Sequence, residues 1–151
     1  MKSGFKVGIT VRRARPEVAS VMFDVNYLSG WLSGVRSVEV ESGTPPHVGA
    51  TVALGSGRFA DIFEIVEHQD DLLLVLKGEN RTLTLALEGV PVGTVAWLGI
   101  ETERTGLRRL LRRLIDSRER RSAIRDLRRL KQLIESGDYR TWWAETDDAG
   151  N

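Results

Sequence analysis

The chain has 151 residues, 41% apolar and 28% charged, with no cysteine and a net charge of +1. That length fits one domain with a single sizeable core, and the composition excludes global disorder, a disulfide framework, a thiolate metal site and a cysteine nucleophile. A net charge so near zero also excludes a protein that grips polyanions with its whole surface.

In chain order, FKVGITV (5–11) alternates cleanly, with Phe5, Val7, Ile9 and Val11 on one face and Lys6, Gly8 and Thr10 on the other. That is the pattern of a half-buried strand. The opening MKSGFKVGITV is too short and too alternating for the apolar core of a signal peptide. LLLVL (72–76) falls far short of the ~20 residues a bilayer span needs, so a cytoplasmic location is the default. Pro16 suits the first turn of a helix and Glu17 its positive end. This helix runs through Val18, Val21 and Met22 and hands over near Asp24–Asn26 to a second short helix. Tyr27, Leu28, Trp31 and Leu32 give the second helix an inward stripe.

From residue 35 the period becomes two: Val38 and Val40 alternate with Glu39 and Glu41, and SGTPPHVG then supplies turn chemistry. Five further strands are predicted at about 49–55, 58–67, 71–78, 81–88 and 93–101, separated by GSG, HQDD, KGEN and GVPVG. Short strands joined this way form an antiparallel meander. Residues 105–137 are different: ten arginines and one lysine stand against four acids, while the other 118 residues are about six charges negative. Leu107, Leu110, Leu111, Leu114 and Ile115, then Ile124, Leu127, Leu130 and Ile134, keep a helical repeat, with Gly137 as its cap. The leucines are predicted to cover the dry face of the sheet and the arginines to face solvent. Residues 1–137 are read as one domain and 138–151 as a tail, with Trp142 and Trp143 expected to pack back.

This order resembles the START-like, Bet v 1-like (SRPBCC) superfamily, in particular bacterial proteins of the polyketide cyclase/dehydrase or lipid-transport type. The likeness is carried by the first strand ending in ITV, RPEVASVMFD (15–24), WLSGVRSVEV (31–40), VG at 48–49, GTVAW (93–97) and the closing helix GLRRLLRRLIDSRERRSAIRDLRRLKQLIESG (106–137), and spans roughly residues 3–136. It implies an α+β helix-grip fold: a seven-stranded antiparallel sheet around a long C-terminal helix, with two short helices between the first two strands and a hydrophobic cavity inside. It also implies binding of apolar or amphipathic small molecules, with cyclisation or dehydration in some members.

Catalytic signatures such as G-x-S-x-G, H-E-x-x-H or a Walker loop are absent, and GSGRF (55–59) reads as a hairpin turn. His47 and His68 fall in predicted turns, so neither metal nor cofactor is expected. In GRFADIFEIVE (57–67) one register turns Phe59, Asp61, Phe63 and Ile65 toward the cavity; the other turns in Ala60, Ile62, Glu64 and Val66, and a bulge would mix them. Either register carries a carboxylate. Asp61 or Glu64 is therefore the candidate polar anchor or proton-transfer group, with Arg58 as a charge partner; the plainer alternative is a solvated rim carboxylate. The expected ligand-lining set is Trp31, Phe59, Phe63, Leu85, Val95, Trp97, Leu111 and Ile115, with Gly99 leaving room beside Trp97.

The mostly apolar inward set favours a carrier or sensor of a lipid- or polyketide-like molecule. A polyketide cyclase, aromatase or dehydratase is the alternative, and it needs polar groups that converge on the cavity. Nucleic acid is not expected as a partner: no aromatic residue interleaves with the arginines, and acids at 116, 119, 126 and 135 can pair with them along the helix. The 107–115 segment leaves room for transient contact with an anionic membrane. Apolar residues on both faces of LLLVL and WLGI leave room for a homodimer through the sheet.

Overall fold

The computed structural model describes residues 2–103 and 112–140. Strand β1 (Lys2–Val11) leads into helix α1 (Arg15–Met22), a 3-10 turn (Val25–Tyr27) and the short helix α2 (Leu28–Trp31). Six strands follow: β2 (Ser37–Ser42), β3 (Thr51–Ser56), β4 (Phe59–Gln69), β5 (Leu73–Lys77), β6 (Arg81–Val90) and β7 (Gly93–Glu103). The described part of the last helix, α3, is Arg112–Ser136. The seven strands make one antiparallel sheet in the order β1-β7-β6-β5-β4-β3-β2, a meander whose first strand closes onto its last.

Local chemistry sets the junctions. Pro16 stands in the first turn of α1, where a missing N–H costs nothing. The Asp24 carboxylate accepts from the Asn26 backbone N–H at 3.0 Å and caps the 3-10 turn. Gly137, at φ +80°, ends α3 in a left-handed conformation that a side chain would resist.

The inner face of the sheet is continuous across the register. Leu54 and Val52 lie beside Asp61 and Phe63, Ile65 beside Leu76, Leu74 beside Leu85, and Leu85 beside Leu98. All but Asp61 are buried. Ala123, Leu127, Leu130 and Ile134 of α3 join this core together with Trp31 and Leu28. Ile124, placed by its spacing on the inward stripe, is instead 36% exposed. The smaller Ala123 takes the inward position, in step with Leu127 and Leu130.

The other end of the helix is fastened by polar contacts. Lys131 Nζ donates to the Thr10 carbonyl at 2.7 Å, and Arg13 donates to the Glu135 carbonyl at 2.7 Å. Just past the cap, Tyr139 is buried; its hydroxyl donates to Glu17 at 2.7 Å and its carbonyl accepts from the Tyr27 hydroxyl at 2.8 Å.

Two truncations on α3 separate its faces. Leu130→Ala is expected to cost about 2–5 kcal/mol, whereas Ile124→Ala should stay within about 0.5 kcal/mol of the parent. Urea midpoints of the two variants check this, and equal losses would contradict the assigned helix face.

Candidate functional site

Between the sheet, the loop after α2, and α3 lies a cavity of about 180 Å³. Val35, Leu54, Phe63, Leu83, Ile100 and Ala123 form its apolar wall, and Ser33, Asp61, Arg81, Glu119, Ser122 and Asp126 bring polar groups to the same space. A larger and more open groove, about 470 Å³, lies where α1 and the 3-10 turn meet Val40, Pro45 and Pro46. The smaller space is the better candidate, because it borders the sheet–helix core and holds a buried carboxylate.

That carboxylate is Asp126, 3% exposed. It lies three residues after Ala123 and four before Leu130, so helical geometry turns it to the core side. The Ser33 hydroxyl donates to Asp126 Oδ2 at 2.9 Å, and the Ser33 and Ser122 hydroxyls are 2.8 Å apart. From the solvent side, Arg129 Nη1 donates to Asp126 Oδ1 at 3.3 Å. Burial pushes the Asp126 pKa up; hydrogen bonds from the Ser33 backbone and side chain, then the Arg129 and Arg125 charges, offset part of that rise. Nearby, Arg81 Nη2 lies 3.8 Å from Glu119 Oε1, linking β6 to α3.

The residues singled out in the sequence separate as follows. Asp61 and Phe63 line the cavity, so the register that turns Asp61 inward is the one the strand adopts. Glu64 is on the opposite face and exposed, paired across the strands with Thr51 and Lys77. The irregularity in β4 falls between Ile65 and Glu67, too late to bring Glu64 inside. Arg58 is exposed in the β3–β4 turn, and Phe59, the first residue of β4, is 77% exposed. Trp31 and Leu85 are fully buried in the core and do not border the cavity.

Val95 and Trp97 lie on the outer face of β7, half-buried, while Ala96, Leu98 and Ile100 point inward. On that face Gly99 borders an outer groove with Trp97, and the indole lies over Gly8, where a Cβ would come within 2.6 Å of it. Lys6 Nζ sits 4.5 Å from the ring centroid, a cation–π contact on the outer surface. Leu111, the side chain of Ile115, Arg108, Arg109, Trp142 and Trp143 lie outside the described residues. His68, expected in a turn, lies in β4 one residue before its end, with Nε2 3.1 Å from the Asp70 carbonyl. Among the described residues no three His, Asp or Glu side chains are placed to hold a metal ion.

Sequence reasoning missed Ser33, Ser122 and Asp126. The available signal was periodicity: positions 119, 123, 126 and 130 step by four, three and four, which puts Asp126 in an otherwise inward row.

No family model matches the chain, and no curated protein matches it. Solved structures do. Protein MLL2253 of Mesorhizobium loti superposes with a TM-score of 0.71 at 14% identity, over 89% of this chain and 98% of that one. Ara h 8.0201 gives 0.65 at 10% identity, over 90% and 99%. DynU16, a protein in the dynemicin biosynthetic locus, gives 0.67 at 15% identity, over 89% of this chain and 48% of its own. The chain has a helix-grip fold, shared with these structures.

The raised pKa of Asp126 gives a signed pH effect. Between the ordinary value of 3.8 and the higher folded-state value, the folded protein binds more protons than the unfolded chain. The contribution of Asp126 to stability is therefore fully present below the ordinary value and is lost as pH rises through the folded one. The charged groups around it are Arg129 and Arg125 on α3, with Glu119, Asp61 and Arg81 bordering the same cavity. In urea unfolding, the stability of the parent minus that of Asp126→Asn should fall with rising pH across this window. A difference that stays flat or grows would show that burial does not raise this pKa.

Proposed function

We propose that the protein binds or carries a hydrophobic or amphipathic small molecule, lipid- or polyketide-like, in the cavity between the sheet and α3. One observation carries this reading: a space on the inner side of the sheet has an apolar wall on one part and a cluster of polar side chains on the other, an amphipathic lining. Apolar surface buried by a ligand supplies about 25 cal/mol per Å², and a few polar groups fix its orientation. At about 180 Å³, the space equals the liquid volume of about six waters. It suits a short chain, a single ring, or one part of a longer molecule.

A second reading, a cyclase, aromatase or dehydratase working in the same cavity, is supported by Asp61 and Asp126 bordering one space. General acid–base chemistry requires two such groups within reach of a substrate. A carrier requires neither.

Native and denaturing mass spectra of protein purified from its own host test both readings. A carrier should show a mass excess that vanishes on denaturation. Ala123→Phe, which places a ring in the cavity, should abolish that excess while the circular dichroism stays unchanged. A parent protein of clean apo mass would rule out a tight carrier. Turnover of polyketide-like substrates, lost on Asp61→Asn or Asp126→Asn, would then establish the enzymatic reading.

A further inference from the structure

We infer that the hydrogen-bonded chain Asp126–Ser33–Ser122 makes the polar side of this cavity an acceptor. It would thereby select amphiphiles whose head group donates a hydrogen bond, such as an alcohol or an amine, over carboxylates and ethers. The inference rests on the binding reading above and names the ligand class for that site.

The number of protons available decides the character of this wall. A serine hydroxyl has one hydrogen to give and two lone pairs to receive, and an ionised carboxylate only receives. Ser33 is 2.9 Å from Asp126 Oδ2, so its single proton goes to the carboxylate. The 2.8 Å contact between the Ser33 and Ser122 hydroxyls must then be donated by Ser122. With its proton committed, Ser122 has only lone pairs left to offer the cavity it borders. Asp61 and Glu119 line the same space and, when ionised, also only accept. Against these, the side-chain donors among the described lining residues are Arg81, aimed at Glu119 at 3.8 Å, and the Ser56 hydroxyl. An anionic head group would face three carboxylates and one guanidinium, that of Arg81, which is ion-paired with Glu119 at 3.8 Å. An ether would bring one more acceptor to a wall of acceptors.

Three probes with eight carbons separate these cases at neutral pH: 1-octanol, its isomer 1-methoxyheptane, and octanoate. The alcohol can donate, the ether can only accept, and the octanoate head group is charged. One net hydrogen bond corresponds to about a three- to tenfold difference in Kd. Isothermal titration calorimetry should therefore show octanol binding about that much more tightly than the ether, with octanoate weakest. Ser122→Ala, a change that favours helix formation, should narrow the preference for octanol over the ether, with Asp61 and Glu119 left as acceptors. Asp126→Asn lets an amide donate to Ser33 and turns the chain around, so it should also shrink the preference.

Equal binding of octanol and methoxyheptane, octanoate as the tightest probe, or an undiminished preference in Ser122→Ala would each overturn the inference while leaving hydrophobic binding intact. Failure of all three probes to bind would overturn the binding reading and the inference with it.

Discussion

The burial of one helix face, Ala123–Leu127–Leu130–Ile134, against the inner face of the sheet fixes the position of nearly everything else. An antiparallel sheet with one dry face needs a single continuous cover, and α3 is the only long helix among the described residues. Once that row is seated, Asp126 must go inside with it, because it falls between Ala123 and Leu130 on the same side. A carboxylate without partners there would carry a heavy desolvation cost. The loop after α2 meets this need: Ser33 turns its hydroxyl toward Asp126, and Ser122 completes the chain from one turn earlier on α3. The polar groups beside the cavity thus follow from the packing of the helix.

The same seating accounts for the uneven charge. Arg118, Arg120, Arg121, Arg125, Arg128 and Arg129 are all exposed, opposite the apolar row. Arg129 reaches round to Asp126, and Lys131 pairs with Glu135, so part of the excess is used within the helix. The partly exposed Lys131–Glu135 pair stabilises little. The main consequence of these charges is a helix that is charged enough to be wet on one side and apolar enough to be buried on the other. Among the described residues no helix is long and apolar enough to cross a membrane.

Period-two alternation made the strands legible, and a shift to helical spacing made α3 legible. What alternation leaves open is which face points inward when both faces carry apolar residues. In β7, Val95 and Trp97 alternate with Ala96, Leu98 and Ile100, and the larger Trp97 with Val95 makes as good a cavity wall by pattern as the other set. Pairing decides otherwise: Leu98 stands between Val7 and Leu85 in the core, and Trp97 stands beside Gly8 and Ala86 outside. In β4 the ambiguity between Asp61 and Glu64 has the same origin, and it is resolved by Phe63 lying opposite Val52. Asp126 was hidden for another reason. An acid among arginines reads as an ion-pair partner, and only its place in the inward row marks it as buried.

Two stretches of the described helix, 119–126 and 131–136, are held by different kinds of contact, and the difference bears on the proposed binding. Near its C-terminus, Lys131 and the Tyr27–Tyr139 pair grip backbone carbonyls, and Arg13 grips that of Glu135. Releasing these would leave main-chain acceptors without partners, so this end is fixed. At the cavity the contacts run between side chains: Ser33 with Ser122 and Asp126, and Arg81 with Glu119. Side chains can exchange partners by a change of rotamer while the backbone stays in place. In the proposed binding reading, a head group would replace one of these partners where the helix is tied by side chains, and the clamp near Gly137 would keep the apolar row in register.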